Sequence, residues 1–419
     1  MSKLKFGIIP VASSFLSVQF EEVAPDCWHQ LNQIGGEKLV EESVCEKIPI
    51  AYFVLTGGTE QIVLNLFTKR KELFENEPVL LIAHPNRNSL PASMEILARL
   101  HQLGAKGKII YLAENGDKDS LNELEKNIRH LTVFHQLKKI KIGLVGEPSD
   151  WLVASSPGAK TIQEVWGPSV IKIPLDELKE TIAEVTDEEV ENEHFTFTKK
   201  ASDLKEPSKK DAKQVVRVYG ALKKIIQKYE LNAVSFRCFD LVLDMQTTGC
   251  YALSKLNDDG IVAGCEGDLV STLGMIWANA MTDQTVWMAN PAQIDEQNNT
   301  VLFAHCTVPI SMVQSYKLRS HYESGLGVGI EGEFTKGKVT LLRLGGNNLE
   351  KIWITNGEII ETSNTENLCR TQVTVKIHGS AKPSDLLNEP LGNHVLIIRG
   401  SYTKDMQNWW ETFIENYKA

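Results

Sequence analysis

The sequence is short of positive charge. Forty-four lysines and arginines stand against 54 aspartates and glutamates, a formal net charge of -10. That balance argues against a non-specific nucleic-acid binder, which needs a basic face to neutralise phosphates. Long apolar runs are missing too. Nothing approaches the ~20 residues of a membrane span, so no membrane partner is expected. The opening Met1–Pro10 is too short, and too soon broken by Pro10, to read as a signal peptide. A cytoplasmic location is therefore expected. The seven cysteines are scattered, odd in number and without CxxC spacing. They read as reduced thiols used as small hydrophobes, not as a disulfide framework or a zinc site. No repeat of solenoid length recurs.

What remains is a globular composition, 42% hydrophobic and 23% charged. With 419 residues, two or three domains are expected rather than one core. The first part alternates short apolar runs with helical patterns. Lys5–Ile9, Ile48–Leu55, Pro78–Ala83 and Lys108–Leu112 read as strands. Helices are expected near Phe20–Ile34, Gln61–Leu73 and Pro91–Leu103, the last with Ser89 as its cap. This alternation predicts a parallel, Rossmann-like layer. Thr56-Gly57-Gly58-Thr59 reads as a tight turn, since it lacks a full phosphate-binding pattern. The loop His84-Pro85-Asn86-Arg87-Asn88-Ser89 is dense in polar groups and suits a polyhydroxylated ligand.

A second such layer starts at Lys141. Ile142–Gly146, Val170–Ile173 and Ala233–Phe236 are its expected strands, and Arg237-Cys238-Phe239-Asp240 gathers where the last one ends. The charged stretch 183–213 reads as an exposed helix and connector. After about residue 285 the pattern changes to short strands between glycine and asparagine turns. Lys338–Leu344, Glu350–Ile354, Gly357–Glu361, Thr371–Ile377 and Val395–Ile398 predict an antiparallel sheet or barrel. Asn290-Pro291 is expected to break the strand that begins at Val286, and Ser315–Arg319 reads as helix-like. The predicted organisation is an α/β chain: two Rossmann-like parallel-sheet domains, 1–138 and 139–284, followed by a β-rich, barrel-like domain, 285–419.

One stretch stands out, Ala263-Gly264-Cys265-Glu266-Gly267-Asp268. An apolar strand precedes it, and Leu269, Leu273, Ile276, Trp277 and Ala280 follow at helical spacing. Two acidic residues thus fall at the carboxyl end of a strand where a helix begins, the rim on which open α/β sheets bind ligands. By itself this is equally consistent with Asp268 capping the helix and Glu266 lying in a solvated turn. Three further polar clusters end apolar strands: Met288-Ala289-Asn290-Pro291, Ala304-His305-Cys306-Thr307 and Gly392-Asn393-His394. A glutamate, an imidazole and an amide or carboxylate from separate strands are a donor set for one divalent cation.

The order of these clusters resembles the L-fucose isomerase and L-arabinose isomerase superfamily. There a Cys-Glu-x-Asp or Gly-Glu-Gly-Asp stretch supplies a metal-binding glutamate. A helix follows, then a strand ending in a second carboxylate ligand, a strand ending in His-Cys or His-Met, and a Gly-x-His or His-His element. In this chain they fall on Glu266, Asn290, His305 and His394. The resemblance runs from about Ala233 to Tyr402, and in architecture to the amino-terminal half. One departure is clear: Asn290 stands where a carboxylate is expected, and an amide cannot take a proton. Asp268 is the candidate to which that role falls.

The resemblance implies a metal-dependent sugar isomerase, interconverting an aldose and a ketose through a cis-enediol. Glu266 and Asp268 are the implied catalytic pair. Glu266, His394 and His305 are the implied ligands of a divalent metal, with Mn²⁺ first choice. Arg237, His84, Asn88, Asn290 and Arg370 are the implied substrate contacts. A small-molecule carbohydrate is the expected partner, and a homo-oligomer the expected assembly, because in the family one subunit's amino-terminal domain can complete a neighbour's site. Two other functions fit the same residues: a lyase or epimerase on this fold, and a non-catalytic cytosolic sugar-binding protein.

Overall fold

The structure, a computed structural model, describes residues 5–15, 19–113 and 118–415. It divides into two compact units, one of residues 1–136 with 409–413 and one of residues 137–408 with 414–419.

The first unit holds a five-stranded parallel sheet, in the order Gly36–Lys38, Phe6–Val11, Ile50–Val54, Val79–Ala83 and Gly107–Tyr111. Three of these strands, Phe6–Val11, Ile50–Val54 and Val79–Ala83, are buried at every position. Continuous apolar runs of this kind are what a sheet covered on both faces requires. Ile9, Tyr52, Val54 and Leu81 pack there against Val63 and Leu66 of helix Glu60–Lys71 and Ile96 and Leu100 of helix Ser89–Gln102.

The second unit begins with a four-stranded parallel sheet, ordered Val262–Cys265, Ala233–Phe236, Lys141–Val145 and Ser169–Ile173. Six later strands close into an antiparallel barrel: Val286–Asp295, Thr300–His305, Thr371–Ile377, Lys351–Ser363, Gly337–Gly345 and Val395–Arg399. Closure leaves no unpaired edge. Helix Leu269–Thr282 rises from the end of Val262–Cys265 and packs on barrel strands Gly337–Gly345, Val286–Asp295 and Val395–Arg399. Its residues 269–278 are all buried, as expected of a helix apolar on every side. The two parallel sheets and the barrel are the expected fold class.

Several local expectations are corrected. Ser315–Arg319 is a strand, not a helix; it pairs with Gly329–Glu333 and Asp203–Leu204 in a separate three-stranded sheet. Asn290-Pro291 does not end its strand. The ladder absorbs it with a register shift between Pro291 and Gln293, where a missing N–H can be tolerated. The two strands expected at Glu350–Ile354 and Gly357–Glu361 are one, Lys351–Ser363, with an irregularity between Ile359 and Glu361. Ser89 does not cap its helix. Asn88 holds that position at φ 58°, while the Ser89 hydroxyl accepts the His84 N–H and donates to Val54 O. The charged stretch 183–213 contains a helix, Asp187–Lys200, opened by a Thr186/Glu189 capping box and anchored by buried Val190 and Phe197. None of the seven cysteines is in a disulfide.

Candidate active site and metal centre

The strand Val262–Cys265 ends in two consecutive left-handed residues, Glu266 at φ 65° and Gly267 at φ 73°. Glycine is needed at 267 for space as well as for φ. A Cβ there would lie 2.8 Å from Pro148 Cα and 3.0 Å from Glu147 O, both backbone atoms. This turn brings the Glu266 side chain into a buried setting, 7% exposed, and puts Asp268 at the helix N-cap.

Two barrel strands supply the imidazoles. His305 is the last residue of Thr300–His305, and His394 immediately precedes Val395–Arg399. Asn290 pairs with Ala304, beside His305, and Ala289 pairs with Val395, beside His394. The three sequence clusters therefore meet at one end of the barrel. His394 Nε2 lies 3.4 Å and His305 Nε2 3.9 Å from the same oxygen, Oε1 of Glu266. The rings stand 5.4 Å apart at 70°. One donor atom from each of the three residues falls within 4.8 Å of the others.

The other ring nitrogens are already committed. His394 Nδ1–H donates to Asp268 Oδ2 at 2.8 Å, and His305 Nδ1 meets Thr307 Oγ1 at 2.9 Å. Fixing Nδ1 leaves Nε2 as the coordinating atom, the outer-shell pattern of metal-binding histidines. A carboxylate and two imidazoles with tied Nδ1 atoms, all buried, are a donor set that could hold a hard or borderline divalent ion such as Mn²⁺, Co²⁺ or Zn²⁺.

Asp268 is completely buried. Its Oδ1 accepts the Ser271 N–H at 2.7 Å, and its Oδ2 accepts the Ser271 hydroxyl at 2.7 Å as well as His394. Arg343 lies behind it, 2% exposed, with Nη1 3.5 Å from Oδ2. Arg343 also donates to Ser271 Oγ at 2.6 Å, Ser155 Oγ at 2.5 Å and Leu391 O at 3.2 Å. Gly392, at φ 141°, leaves room for this guanidinium; a Cβ there would lie 2.0 Å from Nη2.

These contacts set the charges. Burial works against the Glu266 carboxylate, yet the hydrogen bonds and charges of His305 and His394 hold it well below the usual range. Burial also opposes ionisation of Asp268, but Arg343 and then His394 hold its pKa down, to about 2. Burial would lower His394, and its two carboxylate partners, Asp268 and Glu266, instead raise it to about 9. Without an ion, a proton on His394 takes the place of positive charge between two carboxylates.

The remaining sequence candidates sit as follows. Asn290 Oδ1 accepts from Asn393 Nδ2 at 3.3 Å, and Asn393 Nδ2 is 3.5 Å from His394 Nε2, so Asn290 borders the cluster through its neighbour. Arg237 is tied to Asp240, to Asp150 and to Pro148 O, on the loop that abuts Gly267. Arg370 is buried and donates to Ser320 O and Glu366, and its N–H points at Cys306 Sγ. His84 and Asn88 belong to the first unit. His84 is buried with Nε2 against Leu55 O and Nδ1 accepting the Asn86 N–H; Asn88 is exposed.

Sequence reasoning missed two residues. Arg343 is a lone cation in the apolar run Leu341-Leu342-Arg343-Leu344, a signal in itself, because unpaired charge is rarely buried. Trp151 donates its indole N–H to Glu266 Oε2 at 2.6 Å, across 115 residues, and no local pattern announces that contact.

Two parallel α/β sheets, a closed barrel and a Glu-His-His cluster at the barrel's end are the architecture and donor set that the resemblance to the L-fucose/L-arabinose isomerase superfamily implies. Among its relatives, sulfoquinovose isomerase of Alkalicoccus urumqiensis is 22% identical over 307 residues, 71% of this chain and 69% of that one. The Priestia aryabhattai protein of the same name is 22% identical over 300 residues, 70% of this chain and 67% of that one. A third, from Clostridium sp. (strain MSTE9), is 23% identical over 231 residues, 55% and 52% of the two chains. No protein-family model matches the chain.

Proposed function

We propose that this chain is an aldose–ketose isomerase of the L-fucose/L-arabinose isomerase-like superfamily that acts on sulfoquinovose or a closely related aldose, with a divalent cation, Mn²⁺ first among candidates, held by Glu266, His305 and His394. The observation that carries the metal reading is the convergence of two Nε2 atoms on one carboxylate oxygen, with each Nδ1 tied elsewhere. The substrate reading rests on the shared name of the relatives.

Moving a hydrogen between neighbouring carbons of a sugar requires removing a weakly acidic proton α to a carbonyl. The cation supplies charge stabilisation for the enediolate that results. Glu266 is the group that carries the proton, since one carboxylate on one face of a cis-enediol reaches both carbons. Asp268 acts through His394, whose ring it orients. Asn290, being an amide, offers the sugar hydrogen bonds and leaves proton transfer to Glu266. Arg237 and Arg370 are candidates for an acidic substituent or for hydroxyls. His84 and Asn88 belong to a loop proposed to serve a neighbouring copy in a homo-oligomer. The domain limits near residues 138 and 285 are part of the same proposal. No helix among the described residues is long and apolar enough to cross a membrane.

The test is to incubate Mn²⁺-loaded protein with sulfoquinovose and a panel of unsubstituted aldoses in D₂O and follow products by NMR. Ketose formation with deuterium entering at C1 of the ketose, and at C2 of the recovered aldose, is expected, with Glu266→Gln slower by about 10² to 10⁴-fold. Turnover that persists after exhaustive chelation, or that survives Glu266→Gln, overturns the mechanism.

A further inference from the structure

The two oxygens of Glu266 have different surroundings. Oε1 faces His394 and His305, whereas Oε2 accepts the Trp151 indole N–H at 2.6 Å. Trp151 sits on the loop after strand Lys141–Val145, and that loop is fastened to the Glu266 turn at several points. Ser149 N–H donates to Glu266 O at 2.9 Å, Gly267 lies against Pro148, and Arg237 holds Pro148 O and Asp150. Trp151 as a whole is 51% exposed. It meets Phe239 edge-on at 5.0 Å, and Phe239 meets His321 in the same way at 5.4 Å.

This arrangement is unlike a packing role. A tryptophan that served the core would bury its ring, whereas this one commits its only polar atom to a buried carboxylate and leaves half its surface in solvent. A hydrogen bond to a charged acceptor is among the stronger ones, and it fixes the carboxylate's rotation. Exposed aromatic rings also suit the apolar C–H faces of sugars, because they remove water from both surfaces at little cost in side-chain freedom.

We propose that Trp151 is a positioning residue. Its N–H occupies Oε2 and leaves Oε1 as the oxygen open to the ion, while its exposed ring, with Phe239, forms a ledge for the sugar. This inference rests on the metal site proposed above, and it adds a residue that contributes no ligand atom.

Three variants separate its parts. Trp151→Phe keeps a ring and removes the N–H, Trp151→Leu removes both, and Phe239→Leu shortens the ledge alone. Mn²⁺ affinity is read by the electron paramagnetic resonance of free Mn²⁺, independent of turnover, and KM is read with sulfoquinovose. Trp151→Phe should bind Mn²⁺ about ten-fold more weakly, the usual effect of losing an outer-shell partner, with KM within about two-fold of the parent. Trp151→Leu should show the same metal defect plus a KM raised about ten-fold, and Phe239→Leu a raised KM with unchanged metal affinity. Wild-type affinity in Trp151→Phe, or an unchanged KM in Phe239→Leu, overturns the assignment while leaving the metal site standing. Should the parent protein bind no Mn²⁺ at all, the metal site and this inference fall together.

Discussion

His394 touches two carboxylates at once: Nδ1 lies 2.8 Å from Oδ2 of Asp268, and Nε2 lies 3.4 Å from Oε1 of Glu266. The two acids are separated by a single glycine, so one turn of backbone places a carboxylate at each side of the same ring. Asp268→Asn keeps the shape and removes the charge. It is expected to weaken Mn²⁺ binding by about 10 to 100-fold, read by isothermal titration calorimetry. An affinity equal to that of the parent would show that the ring needs no carboxylate behind it.

The same geometry sets a pH dependence. Without an ion, the His394 pKa is raised from 6.5 to about 9. Its protonation therefore stabilises the folded chain fully below about pH 6.5, and that contribution fades as pH rises through about 9. Binding at Nε2 must displace the proton there. Calorimetry in buffers of different ionisation heat should show release of about one proton per ion at pH 7–8, with affinity rising as pH approaches 9. Chelated protein should lose melting temperature over the same interval, and Mn²⁺-loaded protein should not. Binding without proton release would contradict this placement.

Arg343 is the buried counter-charge to Asp268. Arg343→Met retains much of the volume but leaves Asp268 without its guanidinium. Breaking a buried pair from one side typically costs about 3–5 kcal/mol, and a loss of that size is expected in urea unfolding. A change under 1 kcal/mol would mean that the serines and His394 suffice to hold the carboxylate.

Gly267→Ala tests the turn. The new methyl would meet Pro148 and Glu147 backbone, and the residue would have to hold a left-handed φ of 73°. A cost of about 1–3 kcal/mol is expected, with weakened metal binding because Glu266 must move with its neighbour. Thermal melts with and without Mn²⁺ separate the two effects.

Asn290→Asp restores the carboxylate that the superfamily pattern would place there. Asn393 can still donate to it, so the fold should be undisturbed. The added negative charge near His394 is expected to tighten Mn²⁺ binding by about ten-fold. Weaker binding would place residue 290 outside the ion's field.

Much of this was legible in the sequence because strand ends carry their own punctuation. Ala233–Phe236 and Thr371–Ile377 lie where their apolar patterns put them, and Glu266 and His305 were each marked by an apolar run stopping at a polar residue, whereas the Gly392-Asn393-His394 cluster, expected to end a strand, instead stands where one begins. Where the reading failed, pairing partners decided the outcome. Ser315–Arg319 is five residues long, too short for periodicity to separate strand from helix, and Gly329–Glu333 settled it. The expected break between Glu350–Ile354 and Gly357–Glu361 is absent, because Asn356 and Gly357 lie within a ladder, opposite Thr340 and Val339. Arg343 and Trp151 reach their partners only after the sheet and barrel have formed. No window of sequence contains both ends of those contacts.

His305 ends one barrel strand and His394 introduces another, and every strand in the ring is clasped by two neighbours. Their separation is therefore set by a continuous hoop of backbone bonds, and side-chain packing nearby has little say in it. Such a frame tolerates rebuilding of the loops at its mouth without moving the two imidazoles apart. Divergence in substrate is then expected to be written around the hoop's mouth, in stretches such as 320–328, while the spacing of the two imidazoles stays fixed.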